Sequence, residues 1–396
     1  MFESLERLPP DPILGLAAVC TADPNPDKVD LTVGVYKDES GQTPVFAAIQ
    51  RAQETLAERE VTKAYMPQVG DANYNAGIRE LLLGADSPAL ADGRVASVQA
   101  PGGCGALRLG AELIKATGAG GRVWISTPTW PNHIPLVGSV GLEFKEYRYY
   151  DAAGHSVDFS GMLQDLGQAQ SGDVVLLHGC CHNPCGADLS NEQWREVTAL
   201  LAAKGVLPFI DIAYQGMGSG LDEDAFGVRH MAAELPELLV AASNSKNMGL
   251  YRERTGAMLF IGKNPETADI VTSQGTKAAR KIYSMPPAHG AILAGMVLTD
   301  AALRSRWEEE LQQMCERLNS VRSLLADKLT GATGQDFSFI RRENGMFSFM
   351  GLSKEQVVRL RDEFSVYMVD SSRANVAGIN HANVDYVAAS VAKVLT

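Results

Sequence analysis

The chain has 396 residues, 45% of them hydrophobic and 21% charged, which is enough apolar material for a large core and more than one domain. Its formal net charge of −12 and sequence pI near 5.1 argue against a binder of nucleic acid, whose phosphate backbone calls for clustered Lys and Arg. No run reaches the ~18 uninterrupted apolar residues of a membrane helix, and Met1–Arg7 has neither a basic nor an apolar leader character, so a cytoplasmic protein without a membrane partner is expected.

In chain order, Val29–Tyr36 reads as a strand or loop, and Phe46–Ala57 as a helix. Short apolar runs then recur between helix-like stretches: Arg94–Val98, Val123–Ser126, Val174–His178, Val206–Ile210, Leu238–Ala242 and Gly256–Ile261. Their apolarity is continuous rather than alternating, which means both faces are covered, as in a largely parallel sheet wrapped by helices. The pattern leaves the later strands free to run antiparallel. Pro101–Arg108 opens a helix that ends near Ala116. Trp307–Ala326 places Leu311, Met314, Leu318, Val321, Leu324 and Leu325 at helical spacing and reads as a long helix bridging two domains. Met346–Met350 and Ser365–Val369 follow as strands, and Val384–Leu395 as a closing helix.

Open α/β sheets gather ligands outside the carboxyl ends of their strands. Here those ends carry Gly102-Gly103-Cys104-Gly105, Trp130, Asn183, Asp211 with Tyr214, and Lys246. Lys246 follows an apolar strand and opens a polar loop, with Ser243, Ser245 and Arg254 nearby. An amine beside two hydroxyls and a guanidinium suits a carbonyl cofactor that also bears a phosphate, which is pyridoxal phosphate. A lone lysine would otherwise belong on the surface. The glycines at 102, 103 and 105 let helix N-terminal N–H groups approach one phosphate; a dinucleotide fingerprint would need glycine where Arg108 stands.

Asp211 ends a strand, where a carboxylate needs a partner; a protonated pyridine nitrogen is one, and a helix N-cap role is the alternative. Tyr214 and Asn183 are suited to a phenolic ring oxygen, and Trp130 offers a flat face, although a lone aromatic is commonly core. Arg373 is suited to clamping a carboxylate, and Arg280 is a second candidate whose plainer reading is a solvated basic face. The cysteines in His178–Cys185 invite a metal reading, but a strand would scatter the ligands, and buried reduced thiols with no metal are preferred.

The runs Asp11–Leu16, Gly34–Glu39, His182-Asn183-Pro184, Asp211–Gly216, Ser245-Lys246-Asn247 with Tyr251–Gly256, and Pro286–Gly290 resemble those of the class I aminotransferases, in the aspartate and aromatic amino acid branch. The resemblance implies an α/β chain of fold type I among pyridoxal phosphate-dependent transferases. Its large domain, 46–311, would hold a mainly parallel seven-stranded sheet; a smaller α+β domain would combine 11–45 with 312–396, after an arm over 1–10.

It also implies ping-pong transamination between an L-amino acid, aspartate or aromatic, and 2-oxoglutarate. Lys246 would hold the cofactor covalently and shuttle the proton, and Asp211 would pair with the ring nitrogen. Asn183 and Tyr214 would bind the ring oxygen, and Trp130 would stack. Gly103, Cys104, Ser243, Ser245 and Arg254 would hold the phosphate. Gly34, Trp130, Asn183 and Arg373 would meet the substrate, with Arg373 on its α-carboxylate. Tyr65, to the phosphate, and Arg280, to a distal substrate carboxylate, would cross from the second subunit of a homodimer. Two departures stand out: Cys104 occupies a usual Ser or Thr, and Cys185 a usual Thr. A thiol donates weakly, so looser cofactor binding is expected. Asn244, Met248 and Met285 are unusual beside the site and leave the preferred amino acid open between aspartate and an aromatic or specialised donor.

Overall fold

The computed structural model describes residues 1–9, 11, 13–119 and 121–396. Pro12, within the Asp11–Leu16 run, and Pro10, in the expected arm, lie outside the described residues. The chain forms two compact units: Met1–Thr43 with Pro184–Gly186 and Leu318–Thr396, and Pro44–Asn183 with Ala187–Arg317.

The larger unit is built on a seven-stranded sheet in the order Val95–Pro101, Thr255–Ile261, Leu238–Ser243, Leu207–Ile212, Val174–His178, Val123–Thr127, Phe144–Arg148. All neighbours pair parallel except Thr255–Ile261, which is antiparallel to both of its neighbours. The six apolar runs all become strands, because valine, isoleucine and leucine covered on both faces fit a buried pleat. The seventh, Phe144–Arg148, escapes that pattern: it is an edge strand whose charged residues leave it only partly buried. The helix Gly102–Thr117 packs its apolar stripe, including Ala106, Leu107, Leu109 and Ile114, into the core with Val98, Leu176, Phe209 and Leu239.

In the smaller unit, Val29–Asp30 pairs parallel with Val366–Tyr367, and Phe347–Phe349 antiparallel with Arg373–Asn375. Helices Lys354–Phe364 and Val384–Leu395 complete it, around a core that includes Leu31, Val321, Leu329, Val357, Leu360 and Val391. Of the expected Val29–Tyr36 segment only two residues pair; the rest is loop.

The long helix runs over Ala301–Thr333, and the division between the two contact units falls inside it after Arg317. Its earlier turns are held by the larger unit, where Trp307 Nε1 donates to Asn247 O at 2.6 Å and Cys315 Sγ to Gly218 O at 3.3 Å. The other division falls after Thr43, and residues 1–9 group by contacts with the smaller unit. Pro184–Gly186 also joins it, with Asn344 N donating to Gly186 O at 2.8 Å.

Arg322, on this helix within the smaller unit, is 1% exposed and pairs with the equally buried Glu343 at 3.2 Å. It also donates to the carbonyls of Ile340, Asn344, Gly345 and Phe347. Arg322→Met would leave a buried charge and several carbonyls without their donor. The variant is expected to lose about 3–5 kcal/mol of stability, which urea titration of the two proteins will measure.

Candidate active site

Asp211 lies within the strand Leu207–Ile212, so it caps no helix. Its register partner across the sheet is His178, and its Oδ2 is 2.9 Å from His133 Nε2. An ionised carboxylate only accepts, so His133 Nε2 carries the proton. His133 Nδ1 lies 2.8 Å from Thr129 Oγ1, and Thr129 Oγ1 3.3 Å from His178 Nε2, so a chain of polar contacts leads to Asp211. His178 meets His182 with rings tilted at 3.8 Å between centroids, His182 stacks on Tyr149 at 4.2 Å, and Ser126 Oγ meets His182 Nε2 at 3.2 Å. Burial pushes His178 down to about 3 and His182 well below its ordinary value, so both are neutral near pH 7. In the sequence His178 and His182 stood out only as possible metal ligands, not as neighbours of Asp211. His133 had a faint signal, three residues beyond Trp130 at a strand's carboxyl end; its ring meets the Trp130 ring edge-on at 5.3 Å.

Lys246 sits in the loop after Leu238–Ser243, its Nζ 4.9 Å from the centroid of the Tyr214 ring. Burial lowers its amine pKa and Arg254 adds to the effect, while Asp211 and Cys104 oppose it. The lysine is only half-buried, yet enclosed enough to differ from an ordinary surface lysine. A less basic amine is a better nucleophile and a better proton carrier near neutral pH.

Around it lies a cradle. Gly102 opens the helix Gly102–Thr117 at φ +67°, and a Cβ there would stand 2.6 Å from Arg254 Nη2, a clash only glycine avoids. Arg254 itself has φ +55° and donates from Nη1 to Tyr251 O at 2.8 Å. Ser243 Oγ is 3.0 Å from Ser245 Oγ, and Gly103 packs against the Ser243 side chain. Helix N–H groups, two hydroxyls and a guanidinium on one spot suit a phosphate. Cys104, partly exposed, receives a long contact from Asn132 Nδ2 at 3.9 Å; Cys185 is buried.

Asn183, buried, follows His182 beyond the strand Val174–His178. The larger unit thus carries Gly103, Cys104, Trp130, Asn183, Asp211, Tyr214, Ser243, Ser245 and Lys246 at the carboxyl ends of its parallel strands, with Arg254 at the amino end of the antiparallel strand Thr255–Ile261. Two other residues singled out in the sequence face outward: Tyr65 is 94% exposed, and Arg280, exposed, donates to Ser284 Oγ at 2.6 Å. In the smaller unit, Arg373 is 4% exposed, donates to Thr32 O at 2.7 Å and lies 4.5 Å from the Phe347 ring centroid. A Cβ on Gly34 would meet that same ring at 2.5 Å.

The cysteines assemble differently from the sequence alternative. Cys180, Cys181 and Asp224 cluster, with neither His178 nor His182 among them. Asp224 already accepts from the backbone N–H groups of Gly216, Gly218 and Ser219. The Cys180 thiol, although its hydrogen bond with Cys181 lowers it, is pushed up to about 12 by burial, which opposes the thiolate that metals need. All six cysteines are free. No helix of the described residues is long and apolar enough to cross a membrane.

Residues 26–391 match the family model described as aminotransferase class I and II. The chain is 49% identical, over the full length of both, to an aspartate aminotransferase of Haemophilus influenzae. It is 45% identical to an aromatic-amino-acid aminotransferase of Pseudomonas aeruginosa, covering 99% of this chain and 98% of the relative. Among solved structures, the aromatic-amino-acid aminotransferase of Burkholderia pseudomallei covalently bound to pyridoxal phosphate superposes with a TM-score of 0.97 at 42% identity, with 100% of both chains covered.

Proposed function

The chain belongs to the class I and II aminotransferases, and from that premise we propose that its rim of strand ends binds pyridoxal 5′-phosphate and exchanges amino groups between L-aspartate or an aromatic L-amino acid and 2-oxoglutarate. When bound, that cofactor supplies a carbonyl that captures amino groups and a ring that draws electrons from the substrate α-carbon. The residues fit it: the cradle that a Cβ at Gly102 would fill takes the phosphate, and Asp211, supported by His133, offers a negative acceptor to a ring N–H. Lys246 beside Tyr214 is the observation that carries the reading.

Each side chain then has a task. Lys246 Nζ anchors the carbonyl at rest and moves the proton off and onto the substrate α-carbon. Tyr214 and Asn183 hold the ring oxygen, and Trp130 covers the ring face. Gly103, Cys104, Ser243, Ser245 and Arg254 hold the phosphate. Arg373, with its planar fork, takes the substrate α-carboxylate beside Gly34. Tyr65 and Arg280 point outward, which suits delivery into a second copy's site. Exposed Phe2, Leu5, Leu8 and Val61 are apolar surface of the kind a homodimer covers. Six cysteines, all free thiols, suit the reducing cytoplasm.

Substrate choice rests on Arg280. Arg280→Ala is expected to reduce kcat/KM for aspartate by the loss of a charged hydrogen bond, about 1.5–3 kcal/mol or roughly 10- to 10²-fold, and to leave phenylalanine nearly unchanged. Steady-state kinetics of wild type and variant with aspartate, phenylalanine and tyrosine decide it. Wild-type turnover of aspartate far below that of the aromatics would favour an aromatic or specialised aminotransferase instead.

A further inference from the structure

Ser243 and Ser245 turn to the phosphate cradle, and Asn244 between them turns the other way, as alternate residues of extended chain do. Asn244 is fully buried, and so is Tyr74, on the helix Ala72–Leu83. Tyr74 donates its hydroxyl to Asn244 Oδ1 at 2.7 Å. Asn244 Nδ2 donates to Asn247 Oδ1 at 3.2 Å, and Asn247 Nδ2 to Gln215 O at 3.2 Å. The backbone is held as well: Asn244 N donates to Thr255 O at 3.1 Å, and Trp307 Nε1 to Asn247 O at 2.6 Å. The side-chain chain therefore begins on a helix behind the sheet, passes on both sides of Lys246 in sequence, and ends one residue after Tyr214.

We propose that Asn244, with Tyr74 and Asn247, is a positioning residue: the buried brace fixes the Lys246 loop against the Tyr214 segment and so sets where the lysine amine can reach. The brace rests on the reading of Lys246 as the cofactor-binding proton carrier. Its physical basis is directional. Apolar packing would tolerate sliding of the loop, whereas three hydrogen bonds in series, shielded from water, define one register. Proton transfer is sensitive to such placement, and a shift of about 1 Å can cost roughly 10²-fold in rate. Asp211, Cys104, Arg254 and Tyr214 face the lysine; none is altered by substitution in the brace, so a change in the amine's behaviour reports its placement and hydration.

The test compares holoenzyme and apoprotein of wild type, Tyr74→Phe, Asn244→Leu, and the control Trp124→Phe, which removes the buried bond from Trp124 Nε1 to Asp173. Asn244→Leu is expected to lower kcat roughly 10- to 10²-fold with KM for the amino acid little changed, and Tyr74→Phe to do so more weakly. In the apoprotein, mass-spectrometric mapping of amine labelling against pH is expected to move the half-reactive point of Lys246 upward in both, because a loosened loop admits water to the amine. Trp124→Phe is expected to lose thermal stability without either change. Wild-type kcat and an unmoved Lys246 profile in Asn244→Leu, or equal changes in Trp124→Phe, would overturn the proposal. If Asn244→Leu does not fold, Tyr74→Phe decides by the same two readouts. Borohydride reduction of wild-type holoenzyme separates the two claims: an adduct elsewhere than Lys246 refutes the underlying reading, while an adduct at Lys246 with unchanged variants refutes only the brace.

Discussion

Lys246→Ala is expected to lose transamination by at least roughly 10³-fold, within the range in which positioned acid–base groups and covalent catalysts act. The other cation of the cradle, Arg254, is a guanidinium, which neither forms the covalent link nor serves as a proton carrier. The lowered pKa of the lysine gives the wild-type protein a further signature. Its neutral, nucleophilic form persists to lower pH than that of an exposed lysine, so borohydride trapping of pyridoxal phosphate should favour Lys246 over surface lysines as the pH falls. Peptide mass spectrometry after reduction checks both statements. A stable pyridoxyl adduct remaining in Lys246→Ala, or appreciable turnover, would sink the assignment.

Asp211→Ala is expected to reduce kcat by roughly 10²–10³-fold, the cost of removing one preorganised electrostatic partner from a shielded site. The cofactor should still be captured by Lys246. Asp211→Asn keeps the shape and the contact with His133 but removes the negative charge, so it should be nearly as slow. Asp211→Glu keeps the charge and should recover part of the rate. Single-turnover absorbance changes on mixing with amino acid separate this defect from weak binding. If Asn and Glu variants are equally active, charge is not what Asp211 provides.

Much of the frame was legible because burial on both faces writes itself locally. Val174–His178 and Val384–Leu395 end where their patterns end. Phe144–Arg148 was not, since an edge strand with Lys145, Glu146 and Arg148 looks like a polar loop until a neighbour supplies its ladder. The residues at the strand ends could be named because strand ends and polar loops are sequence features. Their supports could not: His133 reaches Asp211 across 78 positions, and Tyr74 reaches Asn244 across 170. A histidine at the start of a short helix and a tyrosine in a longer one carry no local mark of such partners. The helix-cap reading of Asp211 failed for the same reason, because only the register opposite His178 places it inside the strand.

The antiparallel strand Thr255–Ile261 has a consequence for how the protein comes apart. Thr255 faces Pro101 on one side, and Gly256 faces Ser243 on the other. Gly102, Ser243 and Arg254 of the phosphate cradle therefore stand abreast on the ladders that join the first three strands at one edge of the sheet, each one residue or less from a paired position. Loops that bind ligands ordinarily belong to the least protected parts of a protein and fray on their own. Here the anion-holding end opens only when the paired strands Val95–Pro101, Thr255–Ile261 and Leu238–Ser243 unzip. Amide hydrogen exchange at Gly256 and Ser243 should follow global unfolding rather than local fluctuation, and dissociation of the phosphate end and loss of the fold should share one barrier.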